Sequence, residues 1–306
     1  MGVTLFILIS GFFGIRLRVS KVWWLWSLML FYSLLLFSIQ YFLKETPPIG
    51  NEHTKEFLKQ LYVAFTPATS GTWWFCTSYL IVLVLSPFFN KLSEIISKRQ
   101  FQYLLAVLIT IYSLAPTFLM HSLSNTPNGK CTENMILAYL IGRYFYFYGI
   151  PKLIRNNAVT IFTFCFCIIF FVDYFLFDPL FLCKDHSFFI ILGAICIFHF
   201  FGIISISSDK ASRIIRYAAG YVFPFYLLNV FLIAHLEFQY AALASSSMLL
   251  LFLLLLQGEL IIISFAIEFF RRILFGQLVN HISNFLDMKF HFDKHNIFSD
   301  NRPKGG

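Results

Sequence analysis

The sequence predicts an all-α, polytopic transmembrane helix bundle with about nine spans, and two observations support this prediction. Hydrophobic residues make up 58% of the 306 positions and charged residues only 12%, which is about half the charged share of a soluble globular domain. The apolar residues also occur in blocks of about twenty, the length that a helix needs to cross roughly 30 Å of hydrocarbon. Water is therefore not the main solvent of this chain.

The blocks define the predicted spans in chain order. They lie near residues 1–15, 22–43, 72–90, 101–120, 133–150, 158–177, 187–207, 217–236 and 246–270. Each block is predicted to be a helix, because a bilayer interior has no water to satisfy the backbone N–H and C=O groups. We interpret residues 1–272 as one transmembrane domain and 273–306 as a cytoplasmic tail that is partly disordered.

The basic residues predict the orientation of the spans. A net charge of +8 could suggest nucleic-acid binding, but these residues are scattered among short loops. If Arg16 is cytoplasmic, alternation of the spans places many other basic residues on the same side, namely Arg18, Lys21, Lys91, Lys98, Arg99, Lys152, Arg155, Lys210, Arg213, Arg216, Arg271 and Arg272. This is the positive-inside bias of membrane proteins. It predicts a cytoplasmic C-terminus and leaves nucleic-acid binding without support.

The same alternation puts the start of the first block on the outer side. Fifteen helical residues rise only about 22 Å, which is shorter than the hydrocarbon thickness. We therefore expect that a helix preceding Met1 is missing from this chain.

The longest outer loop, 44–71, carries a helical stripe of apolar residues from Phe57 to Phe65. This stripe is typical of a helix that lies in the membrane interface, or of a lid packed against neighbouring spans. Tryptophans flank the predicted membrane on both sides, at 23–26 and at 73–74. An aromatic belt is the favoured interpretation of these tryptophans, and stacking on a sugar ring is the alternative.

Three segments, in order along the chain, resemble one family of membrane enzymes. The residues that carry the resemblance are Leu-Phe-Ile-Leu-Ile-Ser-Gly-Phe-Phe at 5–13, Trp74-Phe75 with Tyr79 and Leu83, Leu-Ser-Pro-Phe-Phe-Asn-Lys at 85–91, and Tyr139-Leu-Ile-Gly142 with Tyr144. They are similar to acyltransferase family 3, whose members acylate surface polysaccharides and other extracytoplasmic acceptors. The resemblance covers about 250 residues of the chain.

The resemblance implies particular substrates and roles. The acyl donor is expected to be acyl-CoA, with acetyl-CoA as the leading form, and the acceptor a glycan or lipid-linked sugar at the plasma membrane. The residues expected to form or support the acyl path are Ser10, Gly11, Trp74, Tyr79, Ser86 and Asn90. Close helix packing is the alternative role for Ser10 and Gly11. The CoA phosphates could contact Arg16, Arg18 or Lys21, although topology alone also explains these residues.

Two features depart from the family pattern. The family's first helix carries an arginine and a histidine thought to act in catalysis, and both would lie before Met1. We therefore predict an N-terminally truncated domain and leave open whether it is active. Many relatives also read Tyr-Leu-Ile-His where this chain has Tyr-Leu-Leu-Asn at 226–229.

Polar residues inside predicted spans are the remaining candidates, because polar side chains are costly in a membrane. Arg143, His199, Asn229 and Glu259 could line one polar cavity. A structural ion pair of Arg143 with Glu259 is the alternative to a substrate contact, and a hydrogen bond between helices is the alternative for His199. No metal site is predicted, since Cys165 and Cys167 do not have a zinc-binding spacing.

The leading hypothesis is therefore a membrane O-acyltransferase that moves an acyl group, with acetyl favoured, from acyl-CoA to an extracytoplasmic hydroxyl. The alternative is a polytopic transporter, a flippase or a polymerase of surface-glycan export. Inverted repeats around midplane charges are typical of transporters, and none is evident. A polymerase would be expected to have a larger outer loop than 44–71.

Overall fold

The computed structural model describes residues 1–43, 54–70, 73–119, 129–175, 182–241 and 248–289, with the backbone alone at 230 and 234–241. These residues contain eleven α-helices. The helices are α1 (Gly2–Phe13), α2 (Val19–Phe42), α3 (Thr54–Phe65), α4 (Trp74–Ile95), α5 (Lys98–Ile109), α6 (Ala115–Phe118), α7 (Thr132–Tyr148), α8 (Lys152–Phe175), α9 (Phe188–Gly202), α10 (Asp209–Ala241) and α11 (Leu249–Lys289). A π-helical segment, Thr110–Leu114, joins α5 to α6.

Each of the nine predicted blocks contains a helix, and no strand occurs in the described part of the chain. Five helical segments are long and apolar enough to cross a membrane: Val19–Phe42, Trp74–Ile95, Lys98–Phe118, Lys152–Phe175 and Leu249–Lys289. Helices α1 and α9 are apolar but shorter. The predicted all-α membrane helix bundle is confirmed.

The helices form two compact units that are interleaved in sequence. One contains Met1–Leu17 and Trp74–Ser205, and the other contains Arg18–Trp73 and the chain from Ile206 onwards. The first unit is built around α7, in which every residue from Met135 to Phe145 except Ile136 is buried. Such a helix has no exposed polar face, which is typical of a helix surrounded by others.

Two glycines bring α1 and α7 into direct backbone contact. A Cβ atom added at Gly11 would lie 2.1 Å from the carbonyl oxygen of Tyr139, and one added at Gly142 would lie 2.2 Å from that of Leu8. Small residues at a helix interface allow this close approach, as in other membrane bundles. The surroundings of Gly11 therefore support a role in close helix packing.

The second unit consists of α2, α3, α10 and α11. Helix α11 packs against α10 and α2, and α3 packs against α2. The apolar stripe of loop 44–71 is confirmed as a helix. Its Phe57 ring contacts the rings of Phe37 and Tyr41 on α2 at centroid distances of 5.6 and 5.8 Å, while Leu58 and Tyr62 remain exposed.

The last helix continues past the predicted C-terminal boundary. Helix α11 has 41 residues, which corresponds to about 60 Å and is twice the hydrocarbon thickness. The predicted end of the last span at 270 and the predicted domain boundary after 272 both fall inside this helix, because its apolar pattern continues through 274–285. The predicted disorder of the final residues concerns positions outside the described ranges.

We predict that Gly11→Ala destabilises the first unit, because the new methyl group would overlap the Tyr139 carbonyl. Overpacking of this kind costs roughly 1–3 kcal/mol. A thermal unfolding curve in detergent, followed by size-exclusion chromatography, would show the loss. Gly258→Ala is the matched control, since a Cβ there would meet nothing within 4 Å. An equal melting temperature for the two variants would contradict the close contact.

Candidate functional site

A closed set of hydrogen bonds holds the end of α1 in the first unit. The Tyr139 hydroxyl donates to Asn90 Oδ1 at 2.7 Å and accepts from the backbone N–H of Ile15 at 3.1 Å. Asn90 Nδ2 donates to the Ile15 carbonyl at 2.9 Å. Helix α1 ends at Gly14 with φ 70°, a left-handed value that favours glycine. Asn90 and Tyr139 thereby satisfy the backbone of the residue that leads to Arg16.

Arg143 lies beside this set and is only 6% exposed. One terminal nitrogen, Nη1, donates a long hydrogen bond of 3.4 Å to the Gly11 carbonyl. Nε is buried and has no hydrogen-bond partner among the described residues. The guanidinium carbon lies 4.9 Å from the ring centre of Tyr146 and 5.0 Å from that of Phe147. Aromatic faces stabilise a cation, but they leave its N–H groups available for an anionic ligand.

The other predicted motif residues surround α1 on a different side. The Ser10 hydroxyl donates to the Phe6 carbonyl at 2.9 Å and lies near the Tyr79 hydroxyl. The Phe6 ring packs edge-on against Phe75 at 5.7 Å and Tyr79 at 5.5 Å. Trp74 is half-buried at the start of α4. The structure therefore brings Ser10 and Tyr79 together, and it brings Gly11, Asn90 and Arg143 together.

Ser86 has a structural task that follows from its neighbour Pro87. A proline has no N–H, so the carbonyl four residues earlier loses its helical donor. That carbonyl belongs to Leu83, and the fully buried Ser86 hydroxyl donates to it at 2.7 Å. Serine next to proline therefore restores the hydrogen bond that proline removes.

A second polar cluster lies in the other unit and is centred on Glu268, which is fully buried. Glu268 Oε2 accepts from the Tyr32 hydroxyl at 2.9 Å and from Arg271 Nε at 2.7 Å. Its Oε1 accepts from Arg271 Nη2 and Arg272 Nε, both at 2.7 Å. One carboxylate therefore joins α2 to α11 and neutralises one of two adjacent guanidinium groups. These arginines were predicted to lie on the cytoplasmic side, and the structure shows that both also pair with a buried acid.

Arg272 also reaches α10. Its Nη2 donates to the Gly220 carbonyl at 2.7 Å, and its guanidinium lies 4.2 Å from the Tyr221 ring centre. Gly220 is four residues before Pro224, so its carbonyl has no helical donor. Arg272 occupies the acceptor that Pro224 leaves free, just as Ser86 does at Leu83.

The remaining predicted residues lie apart from these clusters. His199 is half-buried in the last turn of α9, not well inside a span, beside a cavity of about 160 Å³ that Arg155 and Asn157 also line. Asn229 belongs to the second unit, and its Oδ1 is buried without a partner among the described residues. Glu259 is exposed on α11, and Arg16, Arg18 and Lys21 carry exposed side chains. Within the described part of the chain, Arg143 forms no ion pair, and the acid that does pair with arginine is Glu268.

Sequence reasoning missed the Glu268 cluster, although Glu268, Arg271 and Arg272 share the i, i+3, i+4 spacing of ion pairs on one helix face. It also missed the loop at 182–187. In this loop, the backbone N–H groups of Leu182 and Cys183 donate to the Asp173 carboxylate at 2.6 and 3.1 Å. Burial, with Asp173 nearby, raises the pKa of the Cys183 thiol to about 11. Burial lowers the pKa of His186, which is therefore neutral at pH 7.

A family model described as an acyltransferase domain, of the acyltransferase 3 type, matches residues 1–282. The chain belongs to acyltransferase family 3. No curated protein and no solved structure matches it.

This membership confirms the resemblance, and it makes the protein a membrane acyltransferase by family, with several apolar helices. The transporter and polymerase alternatives are not favoured. In this acyltransferase-3 chain, the residues of the resemblance meet at the end of α1, where Asn90 and Tyr139 hold Ile15 beside Arg143.

We predict that Ser86→Ala leaves the Leu83 carbonyl buried without a donor, at a cost of roughly 1–3 kcal/mol. The double variant Ser86→Ala/Pro87→Ala should recover most of this stability, because residue 87 regains its N–H. Ser93→Ala is the control: Ser93 donates to the Phe89 carbonyl at 2.7 Å, which keeps the helical N–H of residue 93. The stability of the three variants would be compared by their melting temperatures in detergent. A double variant no more stable than Ser86→Ala would show that Ser86 does not replace the hydrogen bond removed by Pro87.

Glu268→Gln should destabilise the second unit strongly. Two guanidinium groups would lose their carboxylate, and breaking a buried ion pair from one side costs about 3–5 kcal/mol. Glu259→Gln, on the same helix but exposed, should leave the melting temperature unchanged. Tyr32→Phe, which removes one hydrogen bond to Glu268, should cost about 1 kcal/mol. Equal melting temperatures for Glu268→Gln and Glu259→Gln would show that the cluster does not stabilise the unit.

Proposed function

We propose that this protein binds acyl-CoA through Arg143 and transfers the acyl group, with acetyl favoured, to a hydroxyl of an extracytoplasmic glycan or related acceptor. The observation that carries the proposal is the nearly buried Arg143 guanidinium, which has one long hydrogen bond and no ion pair among the described residues. An ionisable group inside a membrane bundle points to a functional site. Family membership supplies the reaction class.

The surroundings of Arg143 suit an anionic or strongly polarised ligand. Its Nε has no hydrogen-bond partner among the described residues and lies with the rings of Tyr146 and Phe147 in an apolar setting. Charge-assisted hydrogen bonds are strong in such a setting. Phosphate oxygens or the thioester carbonyl of acyl-CoA could accept from it. Arg16 follows within two residues of Gly14, whose backbone lies against Arg143. A basic residue there would add attraction for the CoA phosphates.

The chemistry is an ordinary acyl transfer. The acceptor oxygen attacks the thioester carbonyl, the new C–O bond forms, and the C–S bond breaks to release CoA as its thiol. The hydroxyl proton passes to a base and then to the departing sulfur. A guanidinium stays protonated throughout, so Arg143 can bind the donor or stabilise the oxyanion but cannot serve as the base. The Phe6, Phe75 and Tyr79 rings beside Ser10 suit the apolar part of the donor.

The same proposal includes orientation and partners. We place the protein in the plasma membrane with a cytoplasmic C-terminus, because the basic residues then lie on the inner side. Acyl-CoA would reach the basic loops from the cytoplasm, while the glycan or lipid-linked sugar acceptor would lie outside, among the membrane lipids. This arrangement requires the acyl group to be passed through the bundle.

We expect Arg143→Gln to weaken acetyl-CoA binding by at least about tenfold, which corresponds to roughly 1.4 kcal/mol, or one lost charge-assisted hydrogen bond. Arg143→Lys should retain only part of the acetyl-CoA affinity, because a lysine ammonium lacks the planar, forked set of donors of a guanidinium. Binding would be measured by calorimetry on the full chain in lipid nanodiscs. Arg213→Gln, an exposed basic residue of α10, is the control.

Acetyl transfer would be followed in parallel as the ester content of surface glycans in cells that carry each variant. Loss of esters with Arg143→Gln but not with Arg213→Gln supports the proposal. Unchanged acetyl-CoA affinity in Arg143→Gln would remove the proposed donor site. Unchanged ester content on deletion of the gene, with altered glycan length or transport, would argue for an export function instead.

A further inference from the structure

Helices α2 and α3, together with Trp73, line an open cavity of about 310 Å³ in the second unit. This size is at the lower end of the range for small-ligand sites, about 300–1,000 Å³. Helix α2 contributes Ser33, Phe37 and Gln40, which share one face through the i, i+4, i+7 spacing. Helix α3 contributes residues of the same spacing, including Glu56 and Gln60. Two complementary helix faces therefore form the walls.

The walls are held in place by contacts outside the cavity. The Trp73 ring is only 4% exposed, and its indole N–H donates to the Leu227 carbonyl of α10 at 3.1 Å. The ring is thereby anchored, and its carbon atoms line the cavity. On the other side, Phe57 packs between Phe37 and Tyr41 and fixes α3 on α2. Trp73 is thus part of the protein interior and not of a lipid-facing belt.

The lining has the chemistry of a site for a neutral, hydroxyl-rich ligand. Ser33, Gln40 and Gln60 offer hydrogen-bond donors and acceptors without charge. Phe37 offers apolar surface, on which the C–H face of a sugar ring can pack, while the nearly buried Trp73 forms part of the wall. The two charged residues of the lining, Glu56 and Lys59, cancel each other. A phosphate-bearing headgroup would instead favour an excess of basic residues.

We infer that this cavity binds the sugar that carries the acceptor hydroxyl. The inference rests on the proposed acyltransferase function and deepens it, because it assigns the acceptor a place. Helix α3 lies in the loop that the charge pattern puts outside the cell, which is the side where a surface glycan is available. The cavity therefore belongs to the acceptor, and the surroundings of Arg143 belong to the donor.

The test measures sugar binding without any acyl donor. Gln60→Cys is labelled with a maleimide in phosphatidylcholine nanodiscs, on a full-length background with Cys167 and Cys183 replaced by serine. Methyl glycosides of glucose, galactose, rhamnose and N-acetylglucosamine are the probes. At twice its dissociation constant, a bound glycoside should slow labelling about threefold. Leu58→Cys, on the exposed side of α3, is the control and should not be protected.

A second variant separates recognition from simple blocking. Gln40→Ala, added to Gln60→Cys, should weaken protection by about five- to tenfold, as expected for one lost hydrogen bond to a sugar hydroxyl. Lys55→Ala, on α3 outside the cavity lining, should leave protection unchanged. Protection by phosphocholine but by none of the glycosides would overturn the inference and assign the cavity to a lipid headgroup. Equal protection of Leu58→Cys would also overturn it.

The two proposals fail separately. Glycoside protection with unchanged acetyl-CoA affinity in Arg143→Gln would retain the sugar site and reject the donor site. Weakened acetyl-CoA binding in Arg143→Gln, without glycoside protection of Gln60→Cys, would retain the donor site and reject the sugar site.

Discussion

Every polar group inside this bundle has to find its partner within the protein, because the surrounding hydrocarbon provides none. The described structure meets this demand in specific ways at its two internal prolines. Pro87 removes the donor to Leu83, and the Ser86 hydroxyl replaces it; Pro224 removes the donor to Gly220, and Arg272 replaces it. In both places, a side chain close in space completes a helix that the sequence interrupts.

The Gly220 case connects a local helix defect to the packing of the whole second unit. Arg272 donates to the Gly220 carbonyl of α10 and also to Glu268, which supplies a negative charge. Glu268 also accepts from Tyr32 of α2, so Glu268 and Arg272 together link α11 to α2 and α10. Buried ion pairs are weak evidence for added stability, since desolvation opposes the Coulomb attraction. Their removal from one side is costly, which makes the cluster a determinant of how α2, α10 and α11 pack.

Arg143 meets this demand only in part. Its charge is nearly buried, its hydrogen bond to the Gly11 carbonyl is long, and the rings of Tyr146 and Phe147 lie against the guanidinium. The contrast with Arg271 and Arg272, whose nitrogens are engaged at 2.7 Å, separates an arginine that organises the fold from one that remains available to a ligand. The end of α1, fixed by Asn90 and Tyr139, holds the backbone beside it in a defined position. A bound anion would complete the pairing that the protein leaves open.

The sequence alone determined the all-α membrane architecture, because blocks of about twenty apolar residues have one stable form in a bilayer. It also determined the family, because the resemblance rests on short local patterns that can be recognised without knowing which residues are in contact. These patterns are Ile-Ser-Gly-Phe, Leu-Ser-Pro-Phe-Phe-Asn-Lys and Tyr-Leu-Ile-Gly. Among the candidate residues, Gly11, Asn90 and Arg143 proved to lie together. The i, i+3, i+4 spacing of Glu268, Arg271 and Arg272 indicates ion pairs on one helix face. In the sequence analysis, however, the two arginines served only to predict the orientation of the spans.

Only the tertiary structure decided which helix faces converge. An apolar helix has no amphipathic stripe to show which side meets which neighbour, so neither the partner of Arg143 nor the burial of Glu268 followed from periodicity. Helix α11 continues past the predicted span end at 270, because its helical apolar pattern runs on to Phe285. Partners separated by 49 to 236 residues, such as Tyr139 with Asn90 and Tyr32 with Glu268, are set by packing alone.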